Sequence, residues 1–140
     1  MNDRFFLDTN IFVYALPANL SAKKDRAAGL LDHAIGSGKG VVSYQVVQEF
    51  FNVALRRFPQ PLSVAEAEQY LITVFRPLLA IQSSPNLYLE GLRIAGKYRL
   101  SWYDALIVAA AQEGTCRTLY SEDLNHGQEI DGTRIQNPFL

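Results

Sequence analysis

The chain has 140 residues, 49% of them hydrophobic, with 13 lysines and arginines against 14 acidic residues. That length and apolar content fit one compact domain over residues 1–140, because a domain of ~150 residues buries about 68–70% of its unfolded surface. The balanced charge, without long runs of one sign, excludes an acidic tail or a basic arm, so any nucleic-acid contact has to come from a local patch.

Arg4 to Leu7 reads as a short buried strand, and Asp3 before it stands where a secretory leader would carry a basic region and an apolar core. Asp8-Thr9-Asn10 follows directly and leads into a short helix, Ile11 to Leu16, which Pro17 ends. Ser21 is placed to cap a helix from Lys23 to Ile35, closed by Gly36-Ser37-Gly38, and Gly40-Val41-Val42 is the next strand. Ser43 caps a helix running to about Phe58, where Pro59 and Pro61 force a break. Ser63-Val64-Ala65-Glu66 has the capping-box pattern and opens a helix to Phe75, followed by a weak strand at Leu79 to Ile81.

Ser84 caps a further helix, Pro85 to Tyr98, and Ser101-Trp102-Tyr103-Asp104 opens the next, which ends near Gly114. Its apolar core, Ala105 to Ala111, is the longest such stretch and falls far short of the ~20 residues a membrane helix needs. Cys116 to Tyr120 is strand-like; Cys116 is the one cysteine, which rules out an intrachain disulfide and fits a reducing, cytosolic compartment. Ile130 to Gln136 adds a last edge strand around an Asp131-Gly132 turn. Strands alternating with helices predict an α/β fold whose central sheet is mostly parallel and covered on both faces.

Four acids occupy comparable places in this pattern. Asp8 ends the first strand, Glu49 sits inside Val46-Val47-Gln48-Glu49-Phe50-Phe51, Asp104 precedes Ala105 to Ala111, and Asp123 follows Thr118-Leu119-Tyr120. Each has an ordinary reading. Asp8 and Asp123 could cap or turn the chain, with Glu122 competing for the second role, and Glu49 could be a surface residue at the edge of a buried helical arc. Asp104 could close a capping box with Ser101 and favour the helix dipole by ~0.3–1 kcal/mol. The helix it opens is apolar on every side, however, so its start must lie in or beside the core.

Acids at the carboxyl ends of adjacent parallel strands share one crevice. Two carboxylates ~4 Å apart repel by about 4 kcal/mol at an effective dielectric near 20, so a cation or a proton has to relieve them. An oxygen-only donor set suits Mg²⁺ or Mn²⁺ held against substrate phosphates, and the chemistry this points to is metal-assisted phosphodiester hydrolysis.

Asp8-Thr9-Asn10 after a strand, Ser43 six residues before Glu49, Asp104 leading Ala105 to Ala111, and Leu119-Tyr120-Ser121-Glu122-Asp123 together resemble the PIN-domain nucleases, and within them the VapC-type toxins of toxin–antitoxin pairs. Asn137-Pro138-Phe139 matches a common ending of that family. The resemblance implies a three-layer α/β/α fold, a Mg²⁺- or Mn²⁺-dependent endoribonuclease, a cognate antitoxin and a homodimer. It carries the catalytic and metal-binding roles to Asp8, Glu49, Asp104 and Asp123, and orienting roles to Thr9, Asn10 and Ser121. Asn125 stands where the fourth motif often has a further aspartate, which leaves Asp123 as the main acid there.

Other readings compete. A haloacid-dehalogenase-like phosphatase would use Asp8 as nucleophile but wants a second aspartate where Asn10 stands, and a lysine near Asp123. A PIN fold outside a toxin–antitoxin system, or a catalytically silent interaction module, would share the fold.

For RNA, Arg56-Arg57, the Lys23 to Arg26 run, and Arg93 with Lys97 and Arg99 are the available cations, although solvated helix faces explain such residues by default. Lys97, Arg99, Trp102 and Tyr103 form the first candidate patch, mixing charge with aromatic surface near the start of the Asp104 helix. His33 and His126 lack ligand-spaced partners and read as structural. Tyr70, Leu71, Val74 and Phe75 form an apolar stripe that reads mainly as core, with a hairpin broken at Phe58-Pro59-Gln60-Pro61 offering a groove for an antitoxin helix.

Overall fold

A six-stranded sheet with strand order β3-β2-β1-β4-β6-β5 forms the centre of the computed structural model, which describes residues 3–56 and 60–140. The strands are β1 (Phe5–Leu7), β2 (Gly40–Ser43), β3 (Leu79–Ile81), β4 (Thr118–Tyr120), β5 (Glu129–Ile130) and β6 (Thr133–Gln136). The helices are α1 (Thr9–Ala15), α2 (Lys24–Ser37), α3 (Tyr44–Ala54), α4 (Val64–Tyr70), α5 (Pro85–Tyr98) and α6 (Trp102–Glu113). All neighbouring strands run parallel except β5 against β6. Helices flank the sheet, giving the three-layer α/β/α arrangement that the alternating pattern predicts.

Both central strands are buried along their length: Phe5, Phe6 and Leu7 in β1, and Gly40 to Ser43 in β2. That is why they read as apolar runs without alternation. Gly38 takes the left-handed conformation, φ 71°, that ends α2 and turns the chain into β2. At Gly40 a side chain would collide with the Cβ of Ala34, so glycine lets α2 lie directly on the sheet.

The chain leaves β1, adds β2 and β3 on one side, then crosses to place β4 on the other. The sheet order therefore reverses at β1, and the crevice at its carboxyl end is the place such sheets offer to a ligand. Asp8 stands there, one residue beyond the strand. Helix α6, buried from Ala105 to Ala111, packs on α5 and along β2, β4 and β6, which brings its polar start to the edge of the core.

Four elements differ from the sequence reading; one is the start of α2, where Lys23 rather than Ser21 is the cap residue and no side chain makes the cap bond. The segment that opens at Ser63 does close its capping box, but it is α-helical only to Tyr70 and continues as a π-helical turn, Leu71–Phe75, with Arg76 N–H donating to Leu71 O at 2.8 Å. The wider turn puts Tyr70 and Phe75 on one side, where their rings lie 5.4 Å apart in a cluster with Phe12, Phe50 and Phe51. Leu71 and Ile72 stay exposed, so only part of the stripe is core.

Ile130 to Gln136 is not one edge strand. It is a hairpin turned at Asp131 and Gly132 (φ 48° and 91°), in which β6 lies inside the sheet against β4 and the two-residue β5 forms the edge. Helix α3 ends at Ala54 with Leu55 as its cap; its expected end at Phe58 and the break at Pro59 lie outside the described residues, as does Arg57.

Candidate active site

A cleft of about 270 Å³ opens beside the end of β1, and Asp8, Glu49, Asp104 and Asp123 all line it. They come from four separate places: the end of β1, the middle of α3, the first turn of α6 and the loop after β4. Among the described residues, no lysine, arginine or histidine lines the cleft, and none of the four acids forms a salt bridge.

Asp8 is only 7% exposed. Its Oδ1 accepts the Thr9 N–H at 2.7 Å, as a helix cap does, and its Oδ2 accepts the Ser121 hydroxyl at 2.8 Å. Burial dominates even so, and with the charges of Glu49 and Asp123 it pushes the carboxyl up to about 6 from 3.8.

Glu49 accepts from Thr9 Oγ1 at 2.6 Å on one oxygen and from Gln45 Nε2 at 3.2 Å on the other. Asp123 Oδ2 accepts from Asn10 Nδ2 at 3.0 Å. Although Asp123 reaches solvent, desolvation raises its pKa, followed by the charges of Asp104, Glu122 and Glu49.

Asp104 differs from the other three. The Ser101 hydroxyl accepts its N–H at 3.3 Å, but the reciprocal half of the expected capping box is missing, whereas Ser63 and Glu66 complete both halves of theirs. Among the described residues the Asp104 carboxylate accepts no hydrogen bond. It faces the cleft free to take a ligand.

Thr9, Asn10 and Ser121, to which the resemblance carries orienting roles, each hold a different acid: Glu49, Asp123 and Asp8. Glu122, the competing acid beside Asp123, turns away to Tyr14 and Lys23. Asn125 turns to Gln128.

Of the candidate RNA patch, only Tyr103 lines the cleft; it is 64% exposed. Trp102 packs near Tyr88, with ring centroids 5.9 Å apart, and Lys97 pairs with Asp131 at 3.6 Å. Arg99 is the left-handed cap of α5 and lies away from the cleft lining. His33 stacks on Phe5, and His126 Nδ1 accepts the Asn137 N–H, so both have structural partners. Cys116 is buried just before β4, with its thiol pushed up to about 11 by desolvation.

Sequence reading misses Gln45 and Asn52, which line the cleft from α3. They lie four before and three after Glu49, the spacing that puts side chains on one helix face, so the signal was present. Ser43 occupies the cap position of α3 without making the cap bond, and its hydroxyl is buried without a hydrogen-bond partner among the described residues.

The donors that face the cleft are carboxylate oxygens with uncompensated charge, the set that a hard divalent ion prefers. Among the described residues, no three His, Cys, Asp or Glu side chains are already gathered into a metal-holding cluster.

The PIN-domain family model matches residues 5–128. No curated protein sequence matches the chain. Among solved structures, a toxin–antitoxin complex from Klebsiella pneumoniae aligns with a TM-score of 0.69 and 19% identity over 95% of this chain and 96% of the other. VapC20 from Mycobacterium tuberculosis, described as a toxin that cleaves the sarcin-ricin loop, aligns with a TM-score of 0.63 and 21% identity over 85% and 89%. VapBC2 from Rickettsia felis, bound to a DNA fragment from its promoter, gives 0.67 and 17% over 95% and 97%.

Proposed function

The chain belongs to the PIN-domain family, and on that premise we propose that it is a Mg²⁺- or Mn²⁺-dependent endoribonuclease, the cytosolic toxin of a toxin–antitoxin pair. The observation that carries this reading is the convergence of four carboxylates on one cleft that no cation lines among the described residues. Asp8, Glu49, Asp104 and Asp123 would hold the ion, which when bound would activate a water and offset charge on the phosphate and the leaving oxygen.

The remaining work falls to the chain itself. Thr9 and Ser121 orient Glu49 and Asp8, and Asn10 orients Asp123, so three of the four acids are held at the cleft by neighbouring donors. The Asp104 carboxylate, without a hydrogen-bond partner among the described residues, is the acid best able to turn toward an incoming ligand. Tyr103 offers an exposed ring at the rim on which an unpaired base can stack.

The partners assigned are RNA, a cognate antitoxin and a second copy of the chain. Exposed Val64, Leu71 and Ile72 give an antitoxin helix an apolar strip to meet. No described helix is long and apolar enough to cross a membrane.

A silent PIN-like module is the second reading, and the intact set of acids weighs against it. Incubating antitoxin-free protein with RNA, with and without Mg²⁺ or Mn²⁺, separates the two. Cleavage that depends on the ion supports the nuclease; neither cleavage nor ion binding supports the silent module.

A further inference from the structure

Glu122 is one residue from the cleft, yet both of its carboxylate oxygens are taken elsewhere. Tyr14 OH donates to Oε1 at 2.9 Å and Lys23 Nζ to Oε2 at 2.7 Å. The Lys23 ammonium also lies over two rings, 5.0 Å from the centroid of Tyr14 and 5.3 Å from that of Phe139, and these rings meet edge to face at 5.2 Å. Arg26 Nε, one turn further along α2, donates to Pro138 O at 2.9 Å and ties the same C-terminal segment down.

The two ends of the loop are fixed differently. Ser121 is fully buried, with its N–H on Gln136 O and its hydroxyl on Asp8. Asp123 is solvent-exposed, and its carboxylate has one hydrogen-bond partner among the described residues, Asn10. Asn10 and Tyr14 are four residues apart on α1, hence on one face, and they take Asp123 and Glu122 respectively. Glu122 and Asp123 are thus held along the same face of α1, with Lys23 adding a second anchor on Glu122 alone. Fixing Glu122 to Tyr14 and Lys23 therefore fixes the bend from which the next residue, Asp123, reaches the cleft.

We propose that Glu122, clamped by Lys23 and Tyr14 beneath Phe139, is a positioning residue that holds Asp123 in the carboxylate cleft. The C-terminal segment and the start of α2 thereby become part of the site without touching it. This rests on the reading of the cleft as a divalent-ion site, so the test has one readout that needs no ion.

The full-length chain and its Lys23→Met, Lys23→Arg and Glu122→Gln variants are compared by Mn²⁺ titration, following free Mn²⁺ by electron paramagnetic resonance, and by amide hydrogen exchange in metal-free protein. Lys23→Met and Glu122→Gln are expected to weaken Mn²⁺ binding by about tenfold. Both should speed amide exchange in residues 121–125 about tenfold without changing it in α6. Lys23→Arg keeps the charge and should restore both.

A purely structural salt bridge would lower thermal stability and leave both readouts where they were, which overturns the proposal. If the parent chain binds no Mn²⁺, the nuclease reading falls instead. The exchange rates then decide the clamp alone: faster exchange in residues 121–125 upholds it and unchanged exchange overturns it.

Discussion

Ser121 donates its hydroxyl to Asp8 Oδ2 at 2.8 Å, joining the ends of two neighbouring parallel strands, β4 and β1, across the point where the sheet order reverses. Hydrogen bonds to a charged group are worth about 1.5–3 kcal/mol, and this one opposes the burial that raises the Asp8 pKa. Ser121→Ala should therefore push Asp8 higher still. In the metal-free protein the titration profile of the Asp8 carboxyl, followed by NMR, is expected to move up by about one to two pH units. A profile that keeps its midpoint would show that Ser121 does not tune this acid.

Asp8 also sets a pH dependence of stability in the metal-free protein. Its folded pKa, about 6, lies above the ordinary 3.8, so the folded state holds its proton more tightly. The resulting stabilisation is fully present below the ordinary value and is lost as pH rises through about 6, an effect on the order of 3 kcal/mol. Asp8→Asn cannot lose a proton there. With EDTA present, the Tm of Asp8→Asn minus that of the parent should grow from about pH 4 to about pH 7. A constant difference would mean that Asp8 titrates as it does in the unfolded chain.

Thr9 Oγ1 reaches Glu49 Oε1 at 2.6 Å and ties α1 to α3. Thr9→Val keeps the side-chain shape and removes the donor. Orienting contacts of this kind cost about 10–100-fold when lost, so cleavage should fall by roughly that factor. The midpoint of thermal unfolding should fall by several degrees with the fold kept at the assay temperature, and cleavage at the parental rate would remove Thr9 from the site.

Tyr103 is expected to act on binding more than on chemistry. Stacking of one base on an aromatic ring contributes about 1–3 kcal/mol, so Tyr103→Ala should raise KM for a single-stranded RNA about 5-fold to 100-fold with kcat near the parental value. Tyr103→Phe should behave like the parent. A fall in kcat with unchanged KM would instead place the ring among the groups that act on the reacting phosphate.

Asp8 and Asp123 could be read from sequence because each follows an apolar strand, whereas the orienting roles of Thr9, Asn10 and Ser121 came only with the family resemblance. Local pattern likewise gave Ser84, Ser101 and the Ser63 capping box. What local pattern could not supply was the choice between Glu122 and Asp123. That is decided by Lys23, 99 positions away, and by the C-terminal Phe139. The placement of β6 inside the sheet is equally non-local, since a short final strand reads as an edge until its pairing with β4 is seen. The π-turn at Leu71–Phe75 follows from aromatic packing across α1 and α3, against a helical pattern that looks regular. Lys97 and Arg99 lie close in sequence to the start of the Asp104 helix, but the folded chain sends one to Asp131 and leaves the other on the surface.

The central claim is that the four carboxylates form one ion-dependent hydrolytic site, and Asp104 tests it most directly because its side chain makes no hydrogen bond among the described residues. Asp104→Asn removes a charge from the cleft while leaving the Ser101 cap on the Asp104 N–H in place. The measurement is the initial rate of RNA cleavage by antitoxin-free parent and Asp104→Asn proteins with Mg²⁺, Mn²⁺ or EDTA, after circular dichroism has shown both to be folded. The parent should cleave only with the ion, and Asp104→Asn should lose at least about 100-fold. A folded Asp104→Asn protein that cleaves as well as the parent, or a parent that cleaves undiminished in EDTA, would contradict it.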